Sequence, residues 1–232
     1  MTKIALVTGV SSGIGLAQAQ LLLKNNWSVY GVDKANGPEL SGNFHFLQLD
    51  LTNDLQILFD WLPKVDLLCN TAGILDDYLP LDKVTDKAWT ELFEINLVVP
   101  MKLTQFYLKK MLKENSGIII NMCSIASFLA GGGGAAYTAS KHALAGLTKQ
   151  TALDYAKSGV QVFGLAPGAV KTKMTASDFE PGGLSQWVAD ETPIKRWIEP
   201  QEVAELTLFL ASGQAQAMQG EIIKLDGGWS LK

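Results

Sequence analysis

The sequence has little arginine and little cysteine, and each shortage excludes a class of function. Arg196 is the only arginine among 232 residues, and the net charge is only −4. Nucleic acids and anionic membranes are bound mainly through clustered positive charge, so we expect neither as a partner. Cys69 and Cys123 each lie inside an apolar run typical of a buried strand. We therefore expect two reduced core thiols rather than a disulfide, and we predict no metal site.

Long apolar runs are also missing. No stretch is long enough to span a bilayer, and Met1-Thr2-Lys3 leads directly into the strand-like run Ile4–Val7 without a signal peptide. These features predict a cytoplasmic protein. Hydrophobic residues make up 47% of the chain, which is ample for the core of one α/β domain of this length.

Short apolar runs alternate along the chain with longer segments of helical periodicity. Most of the runs are apolar on both faces, which is typical of a parallel sheet covered by helices on both sides. The alternation predicts an α/β fold: a single doubly wound Rossmann domain over residues 1–232, with seven parallel strands in the order 3-2-1-4-5-6-7. The predicted strands are Lys3–Thr8, Ser28–Asp33, Phe44–Asp50, Asp66–Asn70, Gly117–Cys123, Val160–Ala166 and Glu221–Leu225. The predicted helices are Ile14–Asn25, Leu55–Leu62, Thr85–Glu114, Tyr137–Lys157 and Pro200–Ala211.

Two connections depart from this alternation of strands and helices. The link from Lys34 to Asn43 is too short for a full crossover helix, so we expect none there. The segment from Thr172 to Arg196 is long, lacks clear periodicity and contains Gly182-Gly183 as a hinge. Long irregular segments in compact domains are usually binding loops or lids, so we predict a mobile substrate lid at about residues 172–196.

A glycine-rich turn follows the first predicted strand and opens the first predicted helix. Its glycines permit a tight turn, and the helix N-terminus favours the negative charge of a pyrophosphate. The turn therefore predicts a dinucleotide site that includes Gly9, Ser11, Ser12, Gly13, Ile14 and Gly15.

Asp33 ends the second predicted strand. A carboxylate at this place accepts hydrogen bonds from the adenosine ribose and repels a 2′-phosphate, which favours NAD(H) over NADP(H). Lys34 weakens this argument, because a lysine beside the carboxylate tolerates a phosphate. We predict NAD(H) as the cofactor.

Tyr137 and Lys141 are spaced i, i+4 at the start of a predicted helix and therefore share one helix face. A neighbouring ammonium stabilises phenolate, so we expect Lys141 to lower the pKa of Tyr137 and make it a usable acid or base. Ser124 ends the fifth predicted strand, facing the same crevice. We expect its hydroxyl to hold the substrate oxygen beside Tyr137.

With these motifs in this order, the chain resembles the short-chain dehydrogenase/reductase family over essentially its whole length. The matching pieces are Thr8-Gly9…Gly13-Ile14-Gly15, Asp50, Asn70-Thr71-Ala72-Gly73, Asn96, Ser124, Tyr137…Lys141, Pro167-Gly168 and Asp226-Gly227-Gly228.

The resemblance implies a role for each matching position. Tyr137 acts as general acid in reduction and base in oxidation, Ser124 orients the carbonyl, and Lys141 binds the nicotinamide ribose. Asn96 holds a water that links Lys141 to solvent. The resemblance also implies that the cofactor contacts Asp50, Leu51, Asn70, Ala72, Gly73, Pro167, Gly168, Val170 and Thr172.

The predicted reaction is hydride transfer between nicotinamide and a carbonyl or alcohol carbon of a small to medium, mostly apolar substrate. A largely apolar pocket is predicted from Ile74, Leu75, Ile125, Ala126, Met174, Phe179 and Trp187.

Three alternative functions remain. A 3-oxoacyl-carrier-protein reductase would use Lys171, Lys173, Lys195 and Arg196 to bind an acidic acyl carrier protein. However, Asn115 and Ser158 stand where such reductases carry arginine. A dihydrodiol dehydrogenase, such as one oxidising 2,3-dihydro-2,3-dihydroxybenzoate, shares the short link after Asp33. A non-catalytic NAD(H)-sensing protein is the third.

Two predicted helices, around Val98–Lys113 and Tyr137–Lys157, carry more apolar residues than one sheet face needs. The family resemblance implies that they pair across a two-fold axis and that the C-terminal strand near Trp229 forms a second interface, giving a homotetramer. The surplus apolar residues are Phe106, Leu112, Leu144, Leu147 and Leu153.

Overall fold

The computed structural model describes residues 2–231 and contains one parallel seven-stranded sheet. The strand order is β3-β2-β1-β4-β5-β6-β7, which confirms the predicted fold and topology. The strands are β1 Ile4–Thr8, β2 Ser28–Asp33, β3 Phe44–Gln48, β4 Leu67–Asn70, β5 Gly117–Met122, β6 Val160–Pro167 and β7 Ile222–Leu225.

Helices cover both faces of the sheet, and each face has its own apolar core. The helices are α1 Gly13–Lys24, α2 Gln56–Trp61, α3 Asp86–Phe93, α4 Val99–Glu114, α5 Ala135–Tyr155, α6 Ser185–Glu191 and α7 Pro200–Ala211. On one face α1 and α7 pack together, with Leu22 and Leu210 against the sheet. On the other face Leu58 of α2 and Tyr107 of α4 pack over β1, β4 and β5.

The single helix predicted over Thr85–Glu114 is wrong. A π-helical turn, Glu94–Val98, separates α3 from α4. Pro100 explains the break, because proline has no N–H to donate and its ring clashes with the carbonyl four residues earlier, that of Asn96. The wider turn places Asn96 inside the protein, where it is buried, and such π turns recur at functional sites.

The two irregular connections gave different outcomes. No helix forms between Asp33 and Phe44, as predicted. The segment from Thr172 to Arg196 is more regular than its sequence indicated, because it contains a 3₁₀ helix, Lys173–Phe179, and the short helix α6. The first begins with a capping box between Thr172 and Thr175. Local capping therefore supports this first helix without an apolar period, whereas α6 begins without a side-chain cap.

Strand ends also shift by up to two residues. The predicted third strand ends at Gln48 and not at Asp50, because the Asp50 carboxylate accepts hydrogen bonds from the Thr52 backbone and hydroxyl and closes a turn. Within residues 2–231, no helix combines the length and apolar character needed to cross a bilayer.

Candidate active site

The candidate site lies where the carboxyl ends of β1, β4, β5 and β6 meet at one edge of the sheet. The Thr8 hydroxyl accepts hydrogen bonds from the backbone N–H groups of Thr71 and Ala72, at 2.9 and 3.0 Å. This contact locks the turn after β4 against the turn after β1. In open parallel sheets the crevice outside the carboxyl strand ends is where ligands bind.

The turn after β1 is packed so closely that its glycines cannot be replaced. Gly9 has φ +72°, and a Cβ there would lie 2.9 Å from the Ala72 Cα. A Cβ at Gly15 would lie 2.2 Å from the Gly9 carbonyl oxygen. On the other side, a Cβ at Gly13 would lie 3.1 Å from the Thr172 methyl carbon. The turn at β1 therefore lies between the β4 turn and the segment that follows β6.

This turn fits a dinucleotide. Among residues 2–231, the buried Ser11 hydroxyl has no hydrogen-bond partner, although buried polar groups are normally paired. Asp33 lies beside it and accepts hydrogen bonds from the backbone N–H groups of Ser11 (3.0 Å) and Ala35 (2.9 Å). Ser12 and Ile14 flank the start of α1, whose N-terminus has no side-chain cap. An anionic ligand would accept hydrogen bonds from the Ser11 hydroxyl and from the free N–H groups at the start of α1.

The other predicted cofactor residues differ in their burial and in their contacts. Leu51 is buried, next to Asp50, whose pKa is lowered by the hydrogen bonds from Thr52. A Cβ at Gly168, which follows Pro167, would lie 3.0 Å from the Asp226 Cα. Val170 is buried and pairs through a β-bridge with Ile198.

The Asn70 side chain turns into the interior and not toward the crevice. Its amide nitrogen donates to the Asn121 Oδ1 at 2.8 Å, and Asn121 in turn donates to the Thr148 hydroxyl of α5 at 2.9 Å. Asn70 therefore links β4, β5 and α5 beneath the site. Its amide nitrogen is therefore unavailable to a cofactor, whereas its buried Oδ1 has no hydrogen-bond partner within the part of the chain that the structure describes.

Asn96 reaches across to the turn after β4. Its side-chain oxygen accepts from the Ile74 N–H and its amide nitrogen donates to the Ile74 carbonyl, both at 2.9 Å. The same nitrogen lies 3.4 Å from the Ser140 hydroxyl of α5. A Cβ at Gly73 would lie 3.1 Å from the Asn96 oxygen, so the glycine makes this close approach possible.

Ser124, Tyr137 and Lys141 come together between β5 and the first turns of α5. Lys141 is only 4% exposed, and its ammonium donates to the Met122 carbonyl at 2.8 Å and lies 5.5 Å from the Tyr137 ring centroid. The Ser124 hydroxyl accepts from the Ala126 N–H at 3.1 Å and hydrogen-bonds with Tyr137. An acid or base, a hydroxyl and an ammonium thus lie together in one largely buried cluster.

The protonation of this cluster differs from the expectation. Burial raises the pKa of Tyr137 to about 12, and the hydrogen bond with Ser124 opposes this only in part. Burial also lowers the pKa of Lys141 to about 8. The expected lowering of the Tyr137 pKa by Lys141 is therefore wrong here, because removal of both groups from water favours the neutral form of each.

The apolar residues predicted to line a pocket divide into two groups. Ile125 and Ala126 are buried and make no open wall, which corrects the prediction for them. Met174, Phe179 and Trp187 are largely exposed, and Ile74 and Leu75 are half-buried. Phe179 packs against Trp197, and Trp187 against Trp229.

One site residue escaped the sequence analysis. Asp76, in the loop after β4, accepts hydrogen bonds from the backbone N–H groups of Gly134 (2.6 Å) and Tyr137 (3.0 Å). A signal was present, because Gly134 precedes α5 without any side chain to cap it, and a helix start needs acceptors from elsewhere.

Comparisons with known proteins agree with this geometry. A family described as short chain dehydrogenase matches residues 3–182. The chain is 32% identical to 3beta-hydroxysteroid dehydrogenase 2 of Eggerthella lenta, covering 98% of this chain and 95% of that protein. Among solved structures, 4-hydroxyisoleucine dehydrogenase complexed with NADH superposes with a TM-score of 0.93 at 30% identity, covering 100% of both chains. ElxO with NADP bound gives 0.90 at 25% identity, again covering 100% of both.

Proposed function

The chain belongs to the short-chain dehydrogenase/reductase family and is an oxidoreductase acting on hydroxyl or carbonyl groups, and from this premise we propose that it transfers a hydride between NAD(H) and a mostly apolar substrate of small to medium size. The observation that carries the proposal is the convergence of Ser124, Tyr137 and Lys141 in one largely buried cluster. This convergence argues against a purely NAD(H)-sensing protein, which has no use for an acid aligned with a hydroxyl.

The proposed reaction needs few groups from the protein. The nicotinamide supplies or accepts the hydride when it is bound. In reduction the Tyr137 hydroxyl gives its proton to the substrate oxygen as negative charge develops there, and the Ser124 hydroxyl donates a hydrogen bond to the same oxygen. In oxidation Tyr137 takes the alcohol proton. Because both groups extend from rigid elements, β5 and α5, the substrate carbon is held in one orientation.

Lys141 and Asn96 are proposed to return the proton to Tyr137. Lys141 lies under the Tyr137 ring, and its pKa of about 8 lets it exchange protons near neutral pH. Asn96 is connected to α5 through Ser140. Because its side-chain amide is engaged by Ile74, we assign any water held at this position to its backbone.

We propose NAD(H) rather than NADP(H) because Asp33 is held at the glycine turn by two backbone N–H groups. Its carboxylate stands where a ribose hydroxyl would donate and where a 2′-phosphate would be repelled. Lys34 next to it is exposed and engages Gln48 only through its carbonyl.

An apolar substrate is supported by exposed apolar side chains in the two segments that follow β4 and β6. The segment after β6 presents Met174, Phe179 and Trp187, and the loop after β4 presents Leu79 and Leu81, all largely exposed. Exposed apolar groups clustered near a polar site usually mark a binding surface.

Two of the four basic residues named for binding an acyl carrier protein, Lys195 and Arg196, are already engaged, which argues against this partner. Arg196 is engaged by both carboxylate oxygens of Glu202, at 2.7 and 2.9 Å, and Lys195 donates to the Asp190 carbonyl. Asn115 adopts a left-handed conformation that ends α4, and the Ser158 hydroxyl donates to the Tyr155 carbonyl. A cyclic dihydrodiol remains a second candidate substrate because the link after Asp33 lacks a helix.

The proposal is tested by a screen of ketones, acyl thioesters and cyclic diols with NADH or NAD⁺, followed by absorbance of the reduced nicotinamide. We expect turnover with apolar ketones or secondary alcohols and little with thioesters of an acyl carrier protein. Preference for the carrier-protein thioester would contradict the substrate proposal, and absence of turnover throughout the panel would contradict the activity as stated.

A further inference from the structure

The start of α5 is held by a residue from another part of the chain. Gly134 occupies the N-cap position and has no side chain to accept hydrogen bonds from the first helical N–H groups. Asp76 accepts them instead, from Gly134 and from Tyr137, across 58 and 61 positions of sequence. Tyr137, the third residue of the helix, is therefore fixed by its own backbone N–H.

The Asp76 carboxylate occupies the space that a side chain at position 134 would need. A Cβ at Gly134 would lie 2.7 Å from the Asp76 Oδ2 and 2.9 Å from its Cγ. The φ of Gly134 is −77°, a value that any residue adopts. Glycine is therefore needed at 134 to leave room for Asp76 and not for backbone flexibility.

The loop that carries Asp76 is itself fixed. Asn96 clamps both backbone groups of Ile74, two residues before Asp76, at 2.9 Å. The π turn, the loop after β4 and the start of α5 thus form one connected unit around Tyr137. We propose that Asp76 is a positioning residue that sets the place of Tyr137 for proton transfer by capping α5, an inference that rests on the proposed function.

The charge of Asp76 allows a positioning role to be distinguished from simple stabilisation of the fold, because the charge acts on the pKa of Tyr137. The groups that face Tyr137 are Ser124, Lys141, Cys123, Tyr78 and Asp76. The carboxylate of Asp76 disfavours a phenolate nearby, which adds to the effect of burial in raising the pKa of Tyr137. Removal of the carboxylate should therefore make Tyr137 easier to deprotonate even as its position becomes worse.

Three variants separate these effects. Asp76→Asn removes the charge and one acceptor oxygen while keeping the shape. Gly134→Ala keeps the charge but displaces the carboxylate. Asp77→Asn makes the same charge change at the exposed neighbouring residue and serves as the control. Each is compared with wild type in kcat, NADH affinity and the ultraviolet titration of Tyr137, the latter taken as the difference from the matching Tyr137→Phe protein.

We expect Asp76→Asn to lower kcat about tenfold or more, because small displacements of an aligned group cost that much. NADH affinity should stay close to wild type, and the Tyr137 titration should move to lower pH. Gly134→Ala should lower kcat with a smaller movement of the titration, and Asp77→Asn should change neither.

Wild-type kcat or an unmoved Tyr137 titration in Asp76→Asn would overturn the proposal. Should Asp76→Asn not fold, Gly134→Ala decides the question, since wild-type kcat in that variant would also overturn it. If the wild-type protein shows no turnover, the proposed function fails. The titration, which needs no substrate, then still decides whether Asp76 controls Tyr137.

Discussion

The acid–base behaviour of Tyr137 follows from its burial. A pKa raised to about 12 leaves little phenolate at neutral pH, so the protonated form that reduction needs dominates. Oxidation needs the phenolate, and its rate should rise with pH by up to about tenfold per unit below the apparent pKa. Rates measured in both directions between about pH 6 and 9 should rise for oxidation and stay nearly level for reduction. An oxidation rate that is independent of pH while chemistry limits turnover would contradict this assignment.

Asp33 leads to a prediction about the relative affinity of the protein for NADH and NADPH. We expect NADH to bind at least about tenfold more tightly than NADPH, a difference of roughly 1.4 kcal/mol, because the carboxylate opposes a 2′-phosphate. Fluorescence titration with the two cofactors measures this directly, and Asp33→Ser should narrow the difference. Equal affinities for the wild-type protein would show that Lys34 offsets the carboxylate.

Single residues were the easiest part of the site to predict from sequence. Gly9, Ser124, Tyr137 and Lys141 stand in local motifs, and their neighbours in the fold follow from the parallel sheet. Asp76 was missed because its partners are about 60 positions away, and nothing local to Asp76-Asp77 distinguishes a helix cap from two solvated carboxylates. The protonation of Tyr137 was missed for a related reason, since burial depends on packing that spacing does not reveal.

At the scale of elements, the buried parallel strands were predictable and the irregular segments less so. Apolar runs such as Ile118–Ile120 leave little alternative to a central strand. The break at Glu94–Val98 was missed because the apolar periodicity continues through it, although Pro100 marks it. In Thr172–Glu191, the apolar residues of the two short helices remain exposed, so no buried apolar period marks these helices in the sequence.

The segment from Thr172 to Arg196 is still proposed to act as a lid, now as two short helices joined through Gly182-Gly183. Its exposed apolar side chains gain burial only when substrate is present, so closure should require both cofactor and substrate. Hydrogen exchange is to be measured in the free protein, with NADH, and with NADH plus a substrate analogue. We expect protection of this segment to rise in the third state. Full protection already in the free protein would mean a rigid wall, and the lid proposal would be withdrawn.

The proposed assembly of the whole protein depends on apolar residues of α4 and α5 that are left exposed. Leu144 is fully buried within its own chain, which corrects its prediction as a surplus residue, and Phe106 stacks on Phe59 at 3.8 Å. Leu153 on α5 remains 72% exposed. We propose that α4 and α5 pair with a second copy and that the C-terminal strand completes a homotetramer. Light scattering should detect the tetramer, and Leu153→Glu should weaken it. A stable wild-type monomer at micromolar concentration would contradict the proposal.

Tyr137 is proposed to be the proton donor and acceptor of a nicotinamide-dependent reaction. A comparison of wild type with Tyr137→Phe decides this assignment, with NADH absorbance for turnover and NADH fluorescence for binding. We expect Tyr137→Phe to lose nearly all turnover and to bind NADH almost as well as wild type, whereas Lys141→Ala should lose both. If Tyr137→Phe keeps a tenth or more of the wild-type rate, the acid has been assigned to the wrong residue.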